Sequence, residues 1–193
     1  MAESSLDQVT QERPIEIEWK AFELRPAGSP PPDPAYRARV EEHWPRTIAM
    51  GRQYGVEMRT HRFGIDTRPA HEGAKFAEAQ GTSEQVKAYH DAVFRAYFEE
   101  DQDIGDLDVL TAIARQVGLD AEAFRQALDA GSYREAVLAE ERFAYRAGIS
   151  GVPAFIFNDK YLLVGVHPPE QLKSVIEQIE RQGNESLTSE EGG

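Results

Sequence analysis

Cysteine is absent from all 193 residues. That excludes disulfides, thiolate chemistry and cysteine-ligated metal within them. Long apolar runs are absent too: no stretch approaches the ~20 residues that a membrane-spanning helix needs. The opening residues, Met1-Ala2-Glu3-Ser4-Ser5-Leu6-Asp7, carry neither a basic start nor an apolar core. No signal peptide is read there, and the chain is placed in the cytoplasm. Positive charge is scarce, with 21 Lys and Arg against 34 Asp and Glu for a net −13. This argues against nucleic acid or an anionic membrane as main partner. His43, His61, His71, His90 and His167 form no i, i+4 pair and no His-x-x-Glu-His pattern, so no metal site is expected. Ser150 precedes Gly151, but without a Gly-x-Ser-x-Gly elbow it gains no support as a nucleophile.

What is present is ordinary for a globular chain: 40% hydrophobic and 28% charged residues, at a length that fits one domain carrying an insertion. The best-defined stretch is Gly148-Ile149-Ser150-Gly151-Val152-Pro153, which leads into the apolar run Ala154–Phe157. Asn158-Asp159 reverses the chain into Tyr161–Val164, closed by Gly165. Two short runs of strand formers joined by turn residues predict a β-hairpin. Proline cannot donate to a ladder, so Pro153 belongs at the start of its strand or at an edge.

Earlier in the chain, residues up to Pro14 read as the tail of a helix, and Ile15-Glu16-Ile17-Glu18-Trp19-Lys20 alternates with the period of a strand. A proline-rich loop, residues 27–34, follows. Helical spacing then resumes at Tyr36, Val40 and Trp44, with a break expected at Pro45 and a fresh helix to Tyr54. Helices are predicted over Ala70–Gln80, from Thr82-Ser83-Glu84-Gln85 onward, over Leu107–Val117 behind Asp106, over Ala121–Ala130 behind Asp120, and from Ser132 to Ala147. A last amphipathic helix opens at Pro168-Pro169, and Asn184–Gly193 reads as a disordered tail.

Gly151-Val152-Pro153, the aromatic-rich hairpin and Gly165-Val166-His167-Pro168-Pro169-Glu170-Gln171-Leu172 together resemble the C-terminal half of DsbA-like thioredoxin-fold proteins. The FrnE-type dithiol–disulfide oxidoreductases form the branch resembled most. Hydroxychromene-carboxylate isomerases and kappa-class glutathione transferases are its cousins. Ile15–Pro26 is similar to the family's second strand, and Phe94–Phe98 with Asp103–Asp106 to its insertion, so the resemblance spans about Ile15 to Ile179. It implies an α/β, thioredoxin-like fold with a large helical insertion, N-terminally incomplete. Residues 1–34 would hold the helix tail, first retained strand and loop, 35–147 the insertion, 148–182 the cis-Pro strand, hairpin and last helix, and 183–193 the tail.

In those relatives a central strand and a Cys-x-x-Cys or Ser-bearing motif precede the point where this chain begins. Backbone groups left unpaired by its loss cost about 1–3 kcal/mol each when buried, against a domain stability of ~5–15 kcal/mol. Three explanations arise: an upstream start, a natural remnant, or a partner strand added at the gap. The first is favoured, because the opening helix reads as cut mid-element.

The resemblance assigns a substrate-binding role to Val152 and Pro153. The proline would be cis, and the backbone before it would pair with an extended peptide or with glutathione. No catalytic residue and no metal ligand is assigned. His167 is read as a turn histidine, and His71 as the one that could face a cleft. Glu16, Glu18 and Glu23 read as solvation rather than an acid–base pair. Asp101, Asp103, Asp106 and Asp108 lack the glycine and terminal glutamate of an EF-hand. Tyr89, Phe94, Tyr97 and Phe98 read as core. The expected function is thiol–disulfide oxidoreduction with its cysteines outside this chain. Alternatives are a glutathione-dependent isomerase or transferase and a redox-inactive peptide-binding module. Expected partners are an extended or disulfide-bearing protein substrate, or glutathione, with a homodimer left open. No cofactor is expected unless it is glutathione.

Overall fold

The computed structural model describes residues 1–26, 28–60 and 64–190, with side chains through Gln182. In chain order its elements are α1 (Ala2–Glu12), α2 (Pro34–Gln53), α3 (Arg68–Gln80), α4 (Ser83–Phe98), α5 (Leu107–Gln116), α6 (Ala121–Asp129), α7 (Arg134–Arg146), β1 (Ala154–Phe157), β2 (Tyr161–Val164) and α8 (Pro169–Glu190). They fall into two compact units. One combines Met1–Glu18 with the chain from Gly151 onward, and the other is Trp19–Ser150.

The larger unit is a helical block built around α3. Ala70, Gly73, Ala74 and Ala77 give α3 a flat buried face. Neighbouring helices can therefore come close enough to fill the space with rings. Phe76 meets Phe124 edge-on at 5.2 Å, and Tyr89, 1% exposed, donates its hydroxyl to the Ala70 carbonyl at 3.3 Å. Start signals read from the sequence act as such. Thr82 and Gln85 form a reciprocal capping box on α4, and Asp106 and Asp120 accept backbone N–H groups at the starts of α5 and α6. The helix expected from Ser132 begins instead at Arg134 without a side-chain cap.

In the smaller unit β1 and β2 form an antiparallel pair with Phe155 opposite Leu163 and Phe157 opposite Tyr161. Asn158 and Asp159 both have positive φ, 48° and 55°, the geometry that twists a tight hairpin turn to match its strands. Asparagine and aspartate tolerate that region better than other side chains. α1 packs on α8 through Val9, Leu172 and Ile179. Arg13 pairs with Glu177 at 2.6 Å and Glu180 at 3.0 Å along the exposed margin, where such pairs add ~0–1 kcal/mol.

Three expectations need correction. Ile15–Lys20 is extended but joins no ladder; the sheet has β1 and β2 alone among the described residues. From Trp19 the segment instead lies against α3 and α7, so Trp19–Pro34 belongs with the helical unit rather than the N-terminal segment. Its backbone is satisfied by side chains: Lys75 donates to the Trp19 carbonyl at 3.2 Å, and the Ala21 N–H donates to Glu140 at 2.7 Å. Second, Pro45 does not break α2, which runs from Pro34 to Gln53. Pro45 and Glu41 are both exposed, so the carbonyl left without its N–H partner can be met by water. Third, the expected tail is helical through Glu190, while 191–193 lie outside the described residues. Continuing the amphipathic helix costs little once Leu172 and Ile179 have anchored its first turns.

Gly73 tests the close approach in the helical core. A Cβ there would stand 2.1 Å from the Tyr89 hydroxyl and 2.7 Å from Phe124. Gly73→Ala should lower stability by about 1–3 kcal/mol through overpacking, despite gaining about 1 kcal/mol in helix propensity. Urea unfolding should show an earlier midpoint at unchanged slope. An unchanged or later midpoint would refute the packing described.

Candidate functional site

The hairpin presents the candidate binding edge. Gly165 donates its N–H to the Pro153 carbonyl at 2.8 Å, which fixes the alternation of the ladder. Pro153, Phe155 and Phe157 turn their backbone groups toward β2, and Val152, Ala154 and Ile156 turn theirs the other way. Among the described residues, β1 therefore leaves its outer edge unpaired. The Val152–Pro153 bond is cis, as the family resemblance implies. Val152 is 50% exposed, and its edge continues into a bare apolar sheet face formed by Ile156, Leu162 and Val164, all exposed.

The sequence carries a signal for this face. Ala154–Phe157 and Tyr161–Val164 are continuously apolar rather than alternating, the pattern of strands with two faces to cover. On the opposite face Phe155 and Phe157 stack at 6.4 Å. Phe155 also meets the ring of His167 edge-on at 6.5 Å. His167 is held in place by the Val164 carbonyl, 2.9 Å from Nε2, and by the Gln171 side chain, 3.0 Å from Nδ1. Ser5 donates to its carbonyl at 2.8 Å. It acts as a strut between hairpin and α8.

The other candidates do not converge on that edge within one unit. His43 bonds the Arg39 carbonyl on α2, and His61 lies outside the described residues. His71 and His90 belong to the helical unit. Burial holds the His71 imidazole below its ordinary pKa, partly opposed by Glu23 and Glu140. His90 stacks on Trp19 at 5.1 Å and has no partner for Nε2. Burial, then Lys75 and His71, push it down to about 4. Phe94, expected in the core, is 38% exposed, because its helix position faces out past Trp19 rather than onto α3. Glu16 and Glu18 are exposed, whereas Glu23 is 1% exposed and forms a two-pronged ion pair with Arg68 at 2.6 and 3.1 Å. Asp106 caps α5, Asp103 accepts from the Gly105 N–H, and Asp108 pairs with Arg125. Among the described residues no group of three acidic or histidine side chains is placed to hold a metal ion. No described helix is long and apolar enough to cross a membrane.

A cis-proline turn entering a hairpin backed by a helix, with a helical block inserted ahead of it, defines a thioredoxin-like protein. Residues 1–177 match the DSBA-like thioredoxin domain, and the chain belongs to that family. It is 34% identical over 163 residues to the uncharacterized protein YwbO of Bacillus subtilis (strain 168), covering 82% of this chain and 80% of that one. It is similar to the crystal structure of the probable DsbA oxidoreductase SCO1869 from Streptomyces coelicolor, at 25% identity and TM-score 0.79, covering 92% and 82% of the two chains. Two further structures share the fold. They are a 2-hydroxychromene-2-carboxylate isomerase (21% identity, TM-score 0.75, 95% and 91% covered) and the cytosolic disulfide reductase DsbM from Pseudomonas aeruginosa, solved with GSH (20%, 0.62, 93% and 92%). The fold is thus the DsbA-like thioredoxin fold with a helical insertion.

His90 gives this site description a pH test. The unfolded chain takes up its proton near the ordinary ~6.5, while the folded chain refuses it until about 4. Stability should therefore fall across that window as the pH drops, by on the order of 2–3 kcal/mol. His90→Phe keeps a ring against Trp19 and should remove this part of the acid loss, read as a smaller difference in urea stability between pH 7 and pH 4.5. An equal acid loss in both proteins would show that His90 is not held neutral.

Proposed function

We propose that this chain serves thiol–disulfide exchange by holding an extended, disulfide-bearing protein segment along the unpaired edge that starts at Val152. The observation that carries the proposal is that edge: outward backbone groups at Val152, Ala154 and Ile156 beside an exposed Val152 side chain. An extended peptide can add to such an edge by backbone hydrogen bonds, with side chains seated on the apolar face. Membership of the DsbA-like family and the likeness to a probable DsbA oxidoreductase support this role. With no cysteine in the 193 residues, the attacking thiolate must come from outside them, either from a segment upstream or from a separate thiol. That thiolate displaces one sulfur of the bound disulfide, and a second thiol resolves the mixed disulfide. A cytoplasmic setting fits the cytosolic neighbour DsbM.

Glutathione is the second reading, favoured by the DsbM neighbour solved with GSH and by an isomerase among the structural neighbours. Its peptide backbone could use the same edge at Val152.

Binding of a labelled, disulfide-bearing peptide, with and without competing glutathione, tests both readings. Val152→Pro removes the N–H at the edge and should weaken binding about fivefold to tenfold, the worth of one hydrogen bond. Val152→Ala, which keeps the backbone, should bind nearly as the native chain does. Equal affinity for all three would remove the edge from the mechanism. Competition by glutathione would favour the second reading. In either case the chain alone should not accelerate disulfide reduction, and measurable turnover would mean that the thiols are not the missing part.

A further inference from the structure

The helical unit carries a second place for a ligand, independent of the hairpin edge. α4, α5 and the loop joining them leave a groove of about 150 Å³. It exists because residues lining it from both helices are small: Ala92 and Ala96, one turn apart on α4, and Ala112 on α5. Protein interiors are otherwise packed closely. The volume matches a cavity that holds a single benzene ring and falls short of the roughly 300–1,000 Å³ of drug-sized pockets. The groove therefore suits a short ligand.

Its polar lining carries the chemistry. Arg95 on α4 reaches the groove, as do Gln116 at the end of α5 and Glu100 and Gln102 in the loop. Glu100 accepts from the Gln102 side chain at 2.8 Å. Arg95 has no carboxylate partner among the described residues, and the Gln116 amide has no protein partner there either. This sets Arg95 apart in a chain with 34 acidic against 21 basic side chains. Elsewhere in the unit Arg68 is held by Glu23, Arg125 by Asp108 and Asp129, Arg134 by Glu72 and Arg142 by Glu135.

We propose that this groove binds a short aliphatic monocarboxylate. Arg95 takes the carboxylate through its planar fork of N–H donors, the Gln116 amide donates beside it, and the alanines cover the apolar chain. Glu100 limits the charge of the ligand. A second carboxylate would meet its like charge on the same lining, which selects against dicarboxylates. An uncharged chain of equal length lacks the contact with Arg95. The Arg95 side chain is exposed, so water competes for the guanidinium and the affinity is about millimolar. Arg95 also stands in the last turn of α4, where its charge favours the helix end. Stability therefore does not report on this role, and ligand binding does.

Amide chemical shifts of the full chain, titrated with butyrate at neutral pH and constant ionic strength, provide the direct test. Saturable shifts at Ala96, Ala112 and Gln116 should appear with a dissociation constant of about millimolar. Butanol and succinate should each bind at least about tenfold more weakly. Arg95→Gln should lose the same factor for butyrate, and Arg95→Lys should keep part of it. Ala112→Leu puts a larger side chain at an exposed groove position and should block butyrate with Arg95 intact. No saturable shifts with butyrate, equal affinity for succinate or butanol, or unchanged affinity in either Arg95→Gln or Ala112→Leu would overturn the proposal. If Arg95→Gln does not fold, Ala112→Leu and the ligand series decide between these outcomes.

Discussion

The helical unit depends on side chains from α3 and α7 closing over an extended segment that has no strand beside it among the described residues. Trp19, Ala21 and Glu23 point inward at every second residue, and each meets a polar partner: Lys75 at the Trp19 carbonyl, Glu140 at the Ala21 amide, Arg68 at the Glu23 carboxylate. Buried backbone groups must find partners, and here charged side chains stand in for a neighbouring strand. Removing one member leaves the other charged and buried, which is costlier than the pair is favourable. The arrangement therefore fixes which segment lies there more than it adds stability.

The proposed function would sit in the smaller unit and rest on backbone rather than side-chain chemistry. A chain without cysteine cannot carry out disulfide exchange unaided, yet its family uses a thioredoxin-like frame. What the hairpin presents is outward-facing backbone groups beside an exposed apolar face. Such an edge is normally covered, because exposed strand edges invite pairing with any available chain. Neither a lysine nor a bulge blunts it between Val152 and Phe157, and Pro153, the one residue unable to donate, sits at its start.

Much of this was legible from residue order. The caps at Thr82, Asp106 and Asp120, the Asn158-Asp159 turn and the proline before β1 each act through contacts a few residues away, so local chemistry was enough to read them. Pro45 misled because a proline's cost depends on whether water can reach the carbonyl it abandons. Ile15–Lys20 misled because alternation shows that a segment is extended without showing what lies beside it. Glu23 was the largest miss. Glutamate is rarely buried unless paired, and its partner Arg68 is 45 residues away.

By itself, then, the sequence determined the family, the helix starts at Thr82, Asp106 and Asp120, the hairpin and the absence of any thiol, since each is a matter of composition or near-neighbour chemistry. Tertiary structure alone decided that the extended segment is clamped by side chains, that Glu23 is buried in an ion pair with Arg68, and which face of the hairpin stays exposed. Those outcomes depend on which distant groups exclude water from one another. Burial and charge pairing are properties of neighbours in space, and linear order does not supply them.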